Sequence, residues 1–319
     1  MKTLDRNLLA ASRRAAIDGL VIENPRSSAA HAAFDLLIEH GLLRDGMGKR
    51  CVLLVGPSQS GKSTILESYA AIHNTAEARD RGEIPVLHVT LEANVTRKGL
   101  AQNILEAVEE HGLEAGSDRG SETVLLKRVR TCLKACKVKL LILDEFHHLL
   151  HSESERLASS VGETIKRLLI KGVCPIVLSG VETARLPLDR NIQLRQRAEP
   201  AIELAPLRPQ SPEDVDLLAP FLRAFCEGMS EVAGIENAMT LLDLEVVANM
   251  ITVTGGVLGA VCNLIKGAVV VATVAGRSHL TRDDLDIAAQ RYFVDPAPRE
   301  EKKENPFRRP TAMLQLALE

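Results

Sequence analysis

Five short apolar runs punctuate the first two thirds of the chain: Cys51–Val55, Val86–Leu91, Lys139–Leu143, Pro175–Leu178 and Ala201–Leu204. Most are valine-, isoleucine- or leucine-rich with little polar alternation, the pattern of strands buried on both faces. Between them apolar residues recur at helical spacing over Lys98–His111, Glu122–Cys136 and Ser154–Ile170. Strands alternating with helices predict an α/β fold, a three-layer core with a five-stranded parallel sheet covered by helices on both faces. Residues 1–48 read as helical, with Ala29–Leu43 carrying the clearest spacing and Gly46 ending it.

After Pro206 the pattern becomes wholly helical. Ser211-Pro212-Glu213-Asp214 is a capped start with proline at the first helical position. Further helices are predicted at Leu242–Met250, Leu258–Ala275 and Thr281–Tyr292, the last with Thr281 as cap and acidic residues in its first turn. These form a small all-helical lid subdomain. From Asp295 the chain is polar and proline-bearing, which predicts a flexible tail. Its end, Met313–Leu318, is apolar and reads either as a frayed terminus or as a partner-docking peptide. The expected division is a helical segment over 1–48, an α/β core over 49–208, the helical subdomain over 209–292 and a tail over 293–319.

The first strand runs into Gly56-Pro57-Ser58-Gln59-Ser60-Gly61-Lys62-Ser63, followed by Thr64 and a helix-forming run from Ile65 to Ala71. Strand, glycine loop and helix in that order are what a phosphate-binding P-loop requires. The glycines let successive backbone N–H groups turn around phosphate oxygens, Lys62 reaches the β- and γ-phosphates, and the Ser63 hydroxyl can ligate Mg²⁺. ATP with Mg²⁺ is the expected ligand pair. About eighty residues on, Leu140-Leu141-Ile142-Leu143-Asp144-Glu145 is an apolar strand ending in two carboxylates, a Walker B element. Asp144 is expected to hold the Mg²⁺ and Glu145 to polarise the attacking water, so hydrolysis is implied as well as binding.

Ser179, at the end of the fourth run, is placed to touch the γ-phosphate or the water between the two Walker elements, or else to cap the next helix. The polar stretch Asp189–Arg197 precedes the fifth run and reads as a loop whose arginines can reach a neighbouring subunit's γ-phosphate. Arg197 is the first choice for that role, then Arg195, then Arg190. An arginine supplied in trans stabilises transition-state charge and makes hydrolysis depend on assembly.

Composition narrows the partners. With 3% aromatic residues and no tryptophan, the chain is a poor candidate for a nucleic-acid reader built on base stacking. A net charge of −3 gives no global attraction to polyanions, so any nucleic-acid surface must be a local stripe of phosphate contacts. Six cysteines with no CxxC pair, several inside apolar runs, together with the lack of an apolar stretch at the N-terminus, point to the cytoplasm. Val257–Gly276 has the length of a membrane span, but Asn263 and Lys266 in its middle make it a buried helix. His147 and His151 share a helical face, yet position 148 is histidine where an HExxH metal motif needs glutamate. Cys132 and Cys136 share a face without further ligands.

Beyond the Walker elements, several blocks carry a resemblance to a known family: Ile84-Pro85-Val86-Leu87, Asp144-Glu145-Phe146-His147-His148-Leu149-Leu150, Ser179-Gly180-Val181-Glu182-Thr183-Ala184, Leu194-Arg195-Gln196-Arg197-Ala198-Glu199-Pro200 and Gly255-Gly256-Val257-Leu258-Gly259. The chain resembles, to about residue 292, the transposition-regulating AAA+ ATPases called TniB and TnsC, with MuB more distant. The resemblance implies an ATPase that assembles as a ring or helical filament on double-stranded DNA, marks a target site, recruits the transposase and leaves when ATP is hydrolysed. It puts nucleotide between subunits of a homo-oligomer, with Arg197 matching the trans-acting arginine. It places DNA contacts on the segment after the second strand, here Glu92–Lys98, so Thr96, Arg97 and Lys98 are the expected contacts, with Lys127 and Arg130 on the next helix as additions. A target-selection protein is a further implied partner. One departure is Ala260, where many AAA+ members place a nucleotide-sensing arginine. Two other readings compete: an origin-recognition-like or secretion-associated ATPase, and a signalling switch that binds ATP without turning it over.

Overall fold

Residues 3–43, 47–93, 95–150, 155–208, 211–236, 241–292 and 307 are described by the computed structural model. Gly46, His151, Ser154 and the predicted tail, Met313–Leu318 included and Phe307 excepted, lie outside them. The elements begin with α1 (Thr3–Asp18), α2 (Pro25–Leu43), β1 (Cys51–Val55), α3 (Lys62–His73), α4 (Ala76–Asp80) and β2 (Val86–Thr90). Next come α5 (Arg97–Glu110), α6 (Glu122–Ala135), β3 (Leu140–Asp144), a 3₁₀ turn (Phe146–Leu149), α7 (Glu155–Ile170) and β4 (Ile176–Gly180). A second 3₁₀ turn (Glu182–Arg185) leads to α8 (Leu186–Arg190), α9 (Ile192–Arg195) and β5 (Ile202–Glu203). Four helices follow: α10 (Pro212–Ala233), α11 (Leu244–Thr254), α12 (Leu258–Val274) and α13 (Arg282–Tyr292).

The five predicted apolar runs pair as one parallel sheet in the order β2-β3-β4-β1-β5. Its two faces separate by the two-residue period of a strand. Cys51, Leu53 and Val55 join Leu87, Val89, Leu141, Leu143, Ile176 and Leu178 in a core closed by α5, α6 and α7. Val52 and Leu54 join Val86, Leu140, Ile142 and Val177 in a second core, closed by Phe34 and Leu37 of α2 and by Leu66 and Tyr69 of α3. Burial on both sides explains why the runs are continuous rather than alternating.

The chain divides into two compact units, one of residues 26–204 and one of residues 1–25 with 205–319. Residues 1–48 therefore do not hold together as the single helical segment the sequence suggests. Phe34 of α2 belongs to the sheet core, whereas Ile17 of α1 is fully buried among Leu218, Leu222 and Met229 of α10 and Leu264 and Ile265 of α12. Lys266, in the middle of the apolar α12, donates to Asp18 at 2.8 Å, which gives its ammonium a counter-charge on α1. Among the described residues no single helix is long and apolar enough to cross a membrane; α11 and α12 together have the length and composition, but they are bent by 112°.

A second difference is the stretch Asp189–Arg197, which is not an open loop. Pro187 in the first turn of α8 and the Asn191 side chain, which accepts from the Leu194 N–H at 3.0 Å, turn most of it into two short helices. The fully buried Leu194 anchors them to the sheet core.

Candidate active site

The loop after β1 depends on a residue without a side chain at its first position. A Cβ on Gly56 would lie 2.8 Å from Ser60 Oγ and 2.9 Å from both the Cβ and the carbonyl oxygen of Leu204. Gln59 and Gly61 have positive φ (65° and 93°), the local reversal that gathers backbone N–H groups into an anion-binding concavity. Helix α3 starts at Lys62, so its N-terminus opens on the loop. Lys62 is 5% exposed and donates from Nζ to the carbonyls of Gly56 and Pro57, each at 2.9 Å. Burial lowers its pKa, while the nearby Glu145 and Asp144 carboxylates act in the opposite direction. Ser60 is buried; Ser58, Gln59 and Thr64 are exposed, and Pro57 and Ser63 half-buried.

Sheet register brings the second Walker element to the same edge. Leu54 pairs with Ser179, and Leu143 with Leu178, so Asp144, Ser179 and Leu54 form one row across β3, β4 and β1. Ser63 donates to Asp144 Oδ2 at 2.8 Å, and the Glu145 N–H to Asp144 Oδ1 at 2.8 Å. Burial pushes the Asp144 carboxyl up, but the polar groups around it (His88, Ser179, Ser63 and the Glu145 N–H) hold it down at about 2. Two of those neighbours act without a hydrogen bond of normal length. His88 Nε2 stands 3.8 Å from Asp144 Oδ2, and both it and the fully buried Ser179 Oγ have no hydrogen-bond partner. Ser179 thus does not cap a helix through its side chain. Glu145 itself sits at φ 53°, left-handed for a non-glycine residue, the kind of strain that collects at functional sites.

Beside Glu145, His147 Nε2 is 3.3 Å from Oε2. Burial lowers the His147 pKa, Glu145 opposing and His148 reinforcing the shift. His147 Nδ1 is buried without a partner. No sequence motif marks His88, although one histidine inside the apolar run Val86–Val89 is a usable signal.

The arginines lie elsewhere. The Arg197 carbonyl accepts from the Cys51 N–H at 3.0 Å, and its guanidinium packs where a side chain at Gly48 would stand, 2.6 Å from the position of that absent Cβ. Arg197 is therefore at the entry end of β1, a strand length of about 15 Å from Gly56 at the exit end. Arg195 and Arg190 are exposed.

Of the expected DNA contacts, Thr96, Arg97 and Lys98 lie at the start of α5, and Lys127 and Arg130 on α6. Thr96 caps α5, its hydroxyl accepting from the Gly99 N–H at 3.0 Å, which leaves its own O–H as a donor. Arg97 is exposed and 3.8 Å from Glu122 at the start of α6, which partly neutralises it. Lys98 and Lys127 are exposed and Arg130 half-buried.

A P-loop after β1, a carboxylate pair closing β3 two strands away, and a parallel sheet of this order define a P-loop AAA+ ATPase. Residues 20–205, more than half of the chain, match the family described as TniB, bacterial TniB protein, and the protein belongs to that family. Among solved structures the chain is similar to the Aeropyrum pernix ORC2 protein in its ADPNP–ADP complexes, with 15% identity and a TM-score of 0.60 over 86% of this chain and 70% of that one. It is also similar to the A. pernix ORC1 protein in complex with DNA, at 16% identity and TM-score 0.58 over 87% and 69% of the two chains. For Cdc6p from Pyrobaculum aerophilum the values are 14% and 0.56, over 89% and 72%. At such identities the likeness is one of fold. No curated protein matches the sequence.

Proposed function

We propose that this ATPase is a DNA-binding regulator of transposition, which assembles as a ring or filament on target double-stranded DNA, receives a target-selection protein, recruits the transposase and disassembles on ATP hydrolysis. The observation that carries this reading is the position of Arg197 at the opposite end of β1 from its own P-loop. About 15 Å of strand separates the two. An arginine there serves a site on a neighbouring subunit, so that nucleotide couples to assembly.

Within each site, the loop Gly56–Ser63 with Thr64 cradles the phosphates, and Lys62 turns its ammonium from the loop carbonyls to the β- and γ-oxygens. Ser63 and Asp144, hard oxygen donors 2.8 Å apart, fit Mg²⁺, and the partnerless Ser179 Oγ and His88 Nε2 beside them suit the waters that this ion keeps. Bound Mg²⁺ would supply charge compensation for the phosphates. Glu145 orients and polarises the attacking water, Ser179 contacts the γ-phosphate or that water, and Arg197, with Arg195 as the alternative, meets the developing charge from the next subunit. Thr96, Arg97 and Lys98, with Lys127 and Arg130, contact DNA phosphates, Thr96 through its O–H and the others through their charge. A loader of the origin-recognition type has the fold similarity in its favour; the family match supports the transposition reading instead.

The direct test is electron microscopy with duplex DNA and a slowly hydrolysed ATP analogue, together with ATP-dependent sedimentation that weakens with salt as counterion release requires. Unaltered DNA binding in a protein carrying Arg97→Ala and Lys98→Ala sinks the proposed surface. Mixing tests the shared site. Glu145→Gln and Arg197→Ala proteins, each inactive alone, are expected to form about a quarter of complete sites when combined one to one, if arginine acts in trans. Absence of any regained hydrolysis places the arginine's role within one chain.

A further inference from the structure

The residues after the Walker B carboxylates do more than continue the chain. Glu145 at φ 53° starts the 3₁₀ turn, and the His148 N–H returns to the Glu145 carbonyl at 2.8 Å. A turn of three residues sets positions three apart on one side, which brings His148 back beside Glu145, with His147 between them. The two imidazole rings are 4.5 Å apart at their centroids. One donor atom from each of Glu145, His147 and His148 lies within 4.8 Å of the other two, and all three residues are half-buried, open to an ion but partly shielded from water.

We propose that Glu145, His147 and His148 form a regulatory site for a zinc-type divalent cation, occupation of which takes the Glu145 carboxylate out of the hydrolytic reaction. Two imidazoles and one carboxylate suit zinc, cobalt or nickel rather than magnesium, which takes oxygen donors. One ligand is already oriented. His148 Nδ1 is 2.8 Å from the Leu91 carbonyl oxygen; a carbonyl only accepts, so Nδ1 carries the hydrogen and Nε2 keeps the lone pair that a metal needs. An outer hydrogen bond of this kind fixes the tautomer and ring orientation of metal-bound histidines. His147 stands with Nε2 3.3 Å from Glu145 Oε2, a spacing close to the roughly 3.4 Å that separates two ligands of a tetrahedral zinc. Small rotamer changes close the third distance, and a water completes the fourth position. The site differs from an HExxH motif: the pairing partner is the carboxylate two and three residues upstream, delivered by a strained turn, and His151 is not among the described residues. The inhibitory half of the inference rests on the role given to Glu145 above; binding does not.

Cation binding and hydrolysis are therefore read separately. Zn²⁺ is titrated into the full chain against a chromogenic chelator, and Co²⁺ is bound as a spectroscopic probe; hydrolysis is then followed in excess Mg²⁺ with and without added Zn²⁺. One Zn²⁺ is expected to bind at about micromolar concentration, with each of His147→Ala, His148→Ala and Glu145→Gln weakening it at least about 10-fold. The same Zn²⁺ is expected to inhibit wild-type hydrolysis, reversibly on chelation. His148→Gln accompanies His148→Ala, because it can still donate to Leu91 if loss of that bond unfolds the alanine protein; thermal melting checks each fold. Binding no tighter than about 1 mM, binding unaltered by the histidine changes, or a thiolate-to-cobalt charge-transfer band overturns the site. Loss of binding in the variants with no inhibition of wild type leaves the cation site standing and overturns its regulatory effect, whereas Glu145→Gln hydrolysing as fast as wild type overturns the role of Glu145 instead.

Discussion

Among the described residues the aspartates most withdrawn from water lie one in each unit: Asp144 at 1% exposure in the sheet unit and Asp284 at 0% in the helical unit. Burial pushes both carboxyls up and polar neighbours bring both below the usual range. They get there differently. Asp284 takes a two-pronged contact from Arg277, 2.6 Å to each oxygen, and adds the Thr281 N–H at 2.9 Å and hydroxyl at 2.8 Å. In return the Asp284 N–H donates to Thr281 Oγ1 at 3.4 Å, a reciprocal cap at the start of α13. Among the described residues Asp144 has a hydroxyl and one N–H within hydrogen-bond distance, no ion pair with arginine or lysine, Lys62 acting on it only from a distance, and unpartnered polar atoms on either side. A saturated carboxylate with its own cation holds a fold together. One ringed by unsatisfied dipoles is arranged for something that arrives later.

Exchanging each aspartate for asparagine breaks this comparison most sharply. Asp144→Asn is expected to reduce ATP hydrolysis by about 10²- to 10³-fold. Its melting should stay within about 1 kcal/mol of wild type, because the amide can still meet Ser63 and the Glu145 N–H and strands no buried cation. Asp284→Asn is expected to do the reverse: about 3 kcal/mol of stability lost as Arg277 loses its counter-charge, with hydrolysis per folded molecule unchanged. Equal melting losses for the two proteins remove the distinction. Ser179→Ala is a finer probe. Deleting a buried hydroxyl that bonds to nothing should leave stability unchanged or raised by up to about 1 kcal/mol while hydrolysis falls about 10-fold; a drop in melting shows that the hydroxyl was satisfied after all.

The smallest expected effect is in acid. Because the folded Asp284 pKa lies below its unfolded value, its stabilisation is complete above the ordinary aspartate pKa of about 3.9 and fades as pH falls through the folded value. Wild type should therefore lose melting temperature below about pH 4 more steeply than Asp284→Asn. Parallel curves remove Asp284 from the account of acid unfolding.

Much of the sheet and both Walker elements were legible because their signals are local: a continuous apolar run, a glycine loop, two carboxylates at a strand end. Even β5, only two residues long, was marked by the apolar residues around it. What escaped was set by contacts between distant positions. Nothing near Ile17 announces that α1 packs with α10 and α12, and the cap made by Asn191 gains its strength from the burial of Leu194. The left-handed Glu145, and with it the convergence of His147 and His148 on one carboxylate, is a backbone conformation that no spacing rule encodes. His88 was hidden for a related reason: its relevance depends on the register that sets β2 against β3.

The close approach of Leu204 to Gly56 has one more consequence. Between Arg197, whose carbonyl grips the start of β1, and Leu204, which leans on the first residue of the P-loop, lie six residues and the whole of β5. This edge segment runs alongside β1 like a tie-rod, fastened at one end to the arginine proposed to meet a neighbouring subunit and at the other to the P-loop turn. A tug on the arginine thus has a short route to the loop along one backbone segment, whose last residue, Leu204, is seated in the sheet core.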